Sequence, residues 1–502
     1  MLKAYMDVEC FLLLCSSYNK QVSMPLQAHP LLLYRYTMHQ AWRDSQAWTK
    51  FGTPLSTTSN EACKLFDATL TQYIGWYDDT SMCGMGKCCD GMLKADPDFV
   101  MGHVLKNGLN VLGTGRTTRL DPDFSRDIQN MEDLASRQKL TPREQKHVEA
   151  VKLWADGAMA KACDIWESIL LYNPLDILAL KFAHDSYFYL GFSSQMRDSI
   201  GRVLPHWKPD MPLYGYLLGM HSFGLEETNL YPEAEKTAKK GLEINRNDAW
   251  STHTVAHVME MTGRHDEGIL FMSGTENDWA KCGMLACHNY WHWCLYNIEK
   301  GNHEEALGIV DSQILPRAKA TGAMLDNVDA CSVLYRLEME GVNVKDRWQD
   351  LYEICRSHTD DHILVFNDIH ILMSLLGVED KTLTHKMMDS IRDFIKAGKG
   401  DNCNITTSVG LPICEALIAY DDGDYAKAVE LMYPRRYKVV TIGGSHAQRD
   451  LYNQFLIHAA LKSPKKEHHR LARHLLMERK ALKPCAPLTD RLIERAMAVH
   501  IE

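Results

Sequence analysis

A helix-turn-helix unit returning about every 34 residues constrains this chain more than any other feature. Turns rich in small and acidic residues recur at Gly157-Ala-Met-Ala, Gly191-Phe-Ser-Ser, Gly263-Arg-His-Asp, Gly301-Asn-His-Glu and Gly423-Asp-Tyr-Ala. Asn229, in N-L-Y-P-E-A-E, supplies the turn between Gly191 and Gly263. The intervals from Gly157 through Gly191, Asn229 and Gly263 to Gly301 are 34, 38, 34 and 38 residues. One helix pair cannot bury its apolar face alone, so units of this length must stack on one another. No strand period of useful length competes with the pattern.

The period therefore predicts an all-α fold: a tetratricopeptide-type helical-hairpin solenoid, a right-handed superhelix of about ten helix pairs. Residues 1–45 show no clear period and read as a poorly structured or loosely docked extension. Residues 46–502 form the solenoid, with the clearest repeats at 142–320 and 408–480. Capping residues before apolar runs mark further helix starts, as in D-P-D-F-V, N-P-L-D-I and N-R-N-D-A-W. The glycine-rich stretch from Asp78 to Asp90 reads as a surface loop.

Charge narrows the function classes. The chain carries 55 Lys and Arg against 65 Asp and Glu, a net charge of -10. A general nucleic-acid binder needs a basic face, so none is expected. The 15 cysteines are scattered and odd in number, and read as reduced thiols of a cytoplasmic protein. Cys83, Cys88 and Cys89 lack the spacing of a zinc knuckle. No apolar run reaches the roughly 18 residues of a membrane span.

The stretch from Trp250 to Tyr296 concentrates the chemistry. Two successive helices each carry a His-x-x-x-His pair: His253 with His257, and His288 with His292. Residues four apart share a helix face. Counted back from Gly263 and Gly301, the histidines fall at 6, 10, 9 and 13 residues, roughly one face of a 3.6-residue helix. Stacked repeats would then aim all four rings to one side. Imidazoles joined by a carboxylate are ligands for a divalent metal, zinc or iron, and also serve acid–base chemistry near neutral pH. The bland alternative is a set of hydrogen-bonded histidines packed between helices. His253-Thr-Val-Ala-His257 lacks the glutamate of the metalloprotease H-E-x-x-H pattern.

Five blocks carry a resemblance: A-L-K-F-A-H-D-S-Y-F-Y-L-G (179–191), W-S-T-H-T-V-A-H-V-M-E-M (250–261), M-L-A-C-H-N-Y-W-H-W-C-L-Y (284–296), H-I-L-V-F-N-D-I-H (362–370) and G-G-S-H-A-Q-R-D (443–450). With them the chain resembles the tetratricopeptide repeat protein 38 family, over about Asp44 to Glu502. The resemblance implies a repeat fold and no established reaction. It also implies that the first helix of each pair lines the concave groove, which puts the four histidines on groove-facing positions.

Counting back from the turns at Gly191 and Gly377 adds Lys181, Asp185 and Asn367 to that groove, with Asp368 and His370 beside Asn367. The helix that opens after Gly443-Gly444-Ser445 adds Arg449, Asp450 and Asn453, and Trp291 stands among the aromatics beside the histidines. Asp185, Asp368 and Asp450 are the carboxylates expected to join the histidines, Asp450 with a catalytic role. Two function classes follow, and the first ranks ahead because no complete catalytic motif is present. The first is a protein-interaction scaffold whose His/Asp/aromatic-lined groove holds an unidentified protein or peptide. The second is a metal-dependent or acid–base enzyme, or a binder of a small polar ligand, centred on His253, His257, His288 and His292.

Overall fold

The structure, a computed structural model, describes residues 42–344 and 346–499. These residues form antiparallel helical hairpins with no strand among them. Seven first helices matter to the site: α1 (Ile177–Leu190), α2 (Tyr214–Glu226), α3 (Ala249–Met261), α4 (Met284–Lys300), α5 (Met324–Met339), α6 (Val365–Gly377) and α7 (His446–Lys462). Each packs against its following helix, and α2 to α6 also pack against the first helix of a neighbouring repeat. The all-α hairpin architecture expected from the period is the one observed.

Local chemistry explains the element boundaries. Asp176 caps α1, accepting from the Ala179 amide at 3.0 Å. Asp248 caps α3, accepting from the Trp250 amide at 3.1 Å and the Ser251 hydroxyl at 2.6 Å. Ser445 and Gln448 form a reciprocal capping box at the start of α7. The turns fall where the period placed them. Gly191, Gly263 and Gly301 have φ of 69°, 76° and 82°, and Asn229 takes the same left-handed conformation at 62°.

Three expectations need correction. The Asp78–Asp90 stretch is a loop only up to Gly84; a helix starts at Met85 and buries Cys88 and Cys89, because the thiols and Met92 give it an apolar face. Gly377 does not make a turn. It ends α6 with its Cα against the Trp348 ring, and Glu379 takes the positive φ of 59°. The ordered fold also begins before residue 46: Arg43 pairs with buried Asp67, and Asp44 caps the helix Ser45–Phe51. The rest of the expected 1–45 extension lies outside the described residues.

Long-range packing departs from a simple open stack, in which each repeat touches only its neighbours. Here α7 contacts both α3 and α5. The turn glycines receive the C-terminal third of the chain. A Cβ on Gly191 would lie 1.9 Å from the Val440 carbonyl oxygen, and one on Gly263 would lie 2.4 Å from that of Cys485. The Gly157 carbonyl accepts from the Asp401 amide at 3.0 Å. The first turn of α7 thus sits over the inner helices instead of leaving an open groove there.

Candidate metal centre

Helices α3 and α4 lie side by side, and their histidine pairs meet. Ring centroids of His253 and His257 are 4.4 Å apart, those of His257 and His292 4.2 Å, and those of His288 and His253 4.8 Å. One ring nitrogen from each of the four lies within 4.8 Å of the others. Nitrogens around a tetrahedral ion at about 2.1 Å would sit roughly 3.4 Å apart. The rings would close in by about an ångström to hold one.

Carboxylates back this cluster on its outer side. Glu260 Oε2 lies 2.9 Å from Nδ1 of His292, and Asp329 Oδ2 lies 2.7 Å from Nδ1 of His288. Glu226 Oε2 approaches Nδ1 of His257 at 3.6 Å, beyond hydrogen-bond length. A carboxylate on Nδ1 fixes the tautomer with the proton there and turns the Nε2 lone pair inward. Nε2 of His292 is buried without a partner, and so are both ring nitrogens of His253 and His257. Buried unpartnered nitrogens are costly in a native interior, roughly 1–3 kcal/mol each. They are what a coordinated ion would satisfy.

Burial sets the protonation states. It pulls His253 and His257 well below the ordinary histidine range, and the neighbouring rings add to the effect. Burial also lowers His292, against the opposing pull of Glu260. Burial alone would raise Glu260, but the hydrogen bond and charge of His292 hold it below the usual range. Burial, reinforced by Glu227, pushes Glu226 well above that range. Neutral imidazoles at neutral pH are the form that binds metal.

On its open side the cluster meets a cavity of about 90 Å³, walled by Trp76, Phe188, Tyr189, Phe223 and Trp250 and by the rings of His253 and His288. Trp250 donates its Nε1–H to the Ile74 carbonyl at 3.0 Å, which fixes the ring. Trp291 stacks on His288 at 5.0 Å and donates to Ser332 at 2.8 Å, so this predicted residue supports the site from behind.

The other predicted residues divide. Asp185 lines the same cavity, but its carboxylate is held by Lys181 at 2.5 and 2.6 Å and by the Tyr73 hydroxyl at 2.6 Å. The Lys181 ammonium is fully buried over the Tyr73, Trp76 and Trp250 rings at 4.8, 5.3 and 4.6 Å. Arg449 is spent on Glu227 at 2.9 Å. Asp368 pairs with His362 at 3.2 Å, and Asp450 is held by Arg479 at 2.8 Å, so neither serves the four rings. His370 donates to the Phe366 carbonyl at 2.7 Å, and Asn367 bonds Thr114 at 3.2 Å across the closed stack. Asn453 is exposed.

The partners that sequence reasoning did not assign are Glu226, Glu260, Asp329 and Gln448. Gln448, from the first turn of α7, donates to Asp329 Oδ1 at 3.0 Å and so braces the carboxylate behind His288. A signal existed: Glu226 precedes Glu260 by 34 residues, one repeat, as His253 and His257 precede His288 and His292 by 35.

No family model matches this chain. Among solved structures it is similar to a human IFIT1 dimer with PPP-AAAA at 12% identity and TM-score 0.34, over 78% of this chain and 96% of that one. It is similar to a human IFIT1 dimer with m7Gppp-AAAA at 14% identity and TM-score 0.34, over 91% and 97%. The Cut9–Hcn1 hetero-tetramer of APC/C aligns at 13% identity and TM-score 0.33, over 82% and 80%. Values this low transfer no role to this chain.

Proposed function

We propose that this chain is a helical-repeat protein built around a divalent-metal centre, zinc or iron, that acts on or binds a small molecule in the aromatic cavity. One observation carries the reading: three buried imidazoles and the half-buried His288 converge, two of the four are held at Nδ1 by carboxylates, and Nε2 of His292 and both ring nitrogens of His253 and His257 have no other partner. His253, His257, His288 and His292 are the ligands; Glu260 and Asp329 orient them. With four histidine ligands, a bound ion would supply Lewis-acid chemistry to a ligand entering past Phe223 and Trp250 only through a fifth, open position; otherwise it would brace the fold. Those walls select a compact, largely apolar ligand. The tetratricopeptide repeat protein 38 resemblance, carried by the five sequence blocks, is the family we assign, and the reduced thiols favour the cytoplasm.

The interaction scaffold expected from the repeat fold ranks second. A peptide groove needs side chains free to meet a partner, and Arg449, Gln448 and Asp185 already have intramolecular partners. Metal analysis of protein purified without chelators tests the choice. Stoichiometric zinc or iron, lost in His257→Ala/His292→Ala, is the expected result. A folded wild-type protein that takes up neither ion when both are offered overturns it.

A further inference from the structure

A second, larger cavity lies where the C-terminal third of the chain closes on the early repeats. Its volume is about 450 Å³, within the range of small-molecule sites. Val111, Leu190, Leu364, Phe394 and Ile442 give it apolar walls. Arg119 and Lys399 also line it. Both are exposed, and neither has an ion-pair partner among the described residues, although Arg119 donates one N–H to the Asp361 carbonyl and lies over the Phe394 ring at 5.2 Å. Asp361 and Asp368, which also act on Arg119, are paired with His358 at 2.7 Å and His362 at 3.2 Å. The acids beside them are engaged: Asp156 accepts from the Thr118 hydroxyl at 2.8 Å, and Asp401 from the Ala160 amide at 2.8 Å.

A further observation is independent of charge. Trp154 is 3% exposed and lines the cavity, yet its Nε1–H has no hydrogen-bond partner; the Thr117 hydroxyl in the same wall is likewise unpartnered. A buried indole N–H normally finds an acceptor. Both atoms are closed off from the cavity's water-accessible space, so a ligand oxygen meets them only if that wall shifts.

We propose that this cavity binds an amphiphilic anion, with an alkyl body inside and a carboxylate or phosphate head at Arg119 and Lys399. Apolar walls with a cationic rim suit that class and disfavour both neutral hydrocarbons and cationic amphiphiles. Arg119 provides the planar fork that carboxylates and phosphates share. The site is separate from the histidine cluster, although the Tyr189 ring lines both cavities.

Calorimetric titration of the full chain with dodecanoate, dodecyl phosphate and dodecyltrimethylammonium, each below its micelle concentration, tests the proposal. Saturable binding of either anion and none of the cation is expected. Preference for dodecanoate marks a fatty-acid-like ligand; preference for dodecyl phosphate marks a phosphate ester. Arg119→Gln/Lys399→Gln should weaken the preferred anion at least about tenfold, the order expected for losing charge-assisted hydrogen bonds. Ala397→Trp, at an exposed lining position, should abolish binding while circular dichroism and melting stay unchanged. Binding should persist in His257→Ala/His292→Ala, so failure of the metal reading leaves this result standing. Failure of both anions to bind, equal binding of the cation, or full binding in folded Ala397→Trp overturns the proposal.

Discussion

Glu260 Oε2 lies 2.9 Å from Nδ1 of His292, across the gap between two adjacent repeats. The glutamate sits three residues past His257 in its own helix, yet it serves the histidine of the next one. Glu226 approaches His257 in the same sense one repeat earlier, at 3.6 Å. The carboxylate-to-imidazole relation is thus itself repeated, because equivalent helix positions face equivalent neighbours.

Glu260→Gln keeps the side-chain shape and removes the charge that holds the His292 tautomer. Loss of such a carboxylate typically weakens a metal site about 10- to 100-fold. Competition with a chromophoric chelator should report a metal dissociation constant raised by at least about tenfold, with the melting profile of the metal-free protein little changed. An unaltered constant would show that the carboxylate does not orient a ligand.

His370 gives the chain an acid-sensitive stability. Burial lowers its pKa from 6.5 to about 4. The unfolded chain therefore binds more protons than the folded one between those values, so stability is full above about pH 6.5 and falls with pH down to about 4. At pH 5 the loss from this one group is about 2 kcal/mol. Urea titrations of wild type and His370→Gln at pH 7 and pH 5 check the sign. The wild type should lose about 2 kcal/mol more than the variant over that interval; equal losses would mean that His370 does not titrate with folding.

The Lys181–Asp185 pair is buried in an aromatic enclosure, where removing one charge leaves the other stranded. Asp185→Asn should therefore destabilise by about 3–5 kcal/mol. Lys181→Met/Asp185→Leu should recover much of that loss, since an apolar pair of similar volume can replace a buried ion pair. Chemical denaturation of the single and double variants measures both. A double variant as unstable as Asp185→Asn would point to an interaction beyond the pair, centred on the Tyr73 hydroxyl.

The sequence made the repeat period, the turn positions and the four-histidine convergence legible, since each depends on local spacing along a helix. Asn229 could be assigned to a turn because its interval fits and asparagine tolerates positive φ. Closure of the stack was not legible. Val440, Cys485 and Gln448 reach glycines and an aspartate more than 100 residues away, and no local pattern encodes that approach. Asp368 and Asp450 looked like histidine partners because they occupy inward positions, but His362, six residues upstream, holds the first and Arg479, from the following helix, the second.

Closure can be separated from ordinary turn strain with two glycines of similar conformation. Gly191 and Gly423 have φ of 69° and 81°. A Cβ on Gly423 meets nothing within 4 Å, whereas one on Gly191 would lie 1.9 Å from the Val440 carbonyl oxygen. Gly423→Ala should therefore cost only the left-handed penalty, about 1–2 kcal/mol. Gly191→Ala should cost more, and it should also detach the segment around Val440 from the turn. Hydrogen exchange at residues 439–443 distinguishes the two: protection falls in Gly191→Ala and is retained in Gly423→Ala. Equal protection in both variants would mean that the C-terminal segment does not rest on that turn, and the cavity lined by Leu190 and Ile442 would lose its far wall.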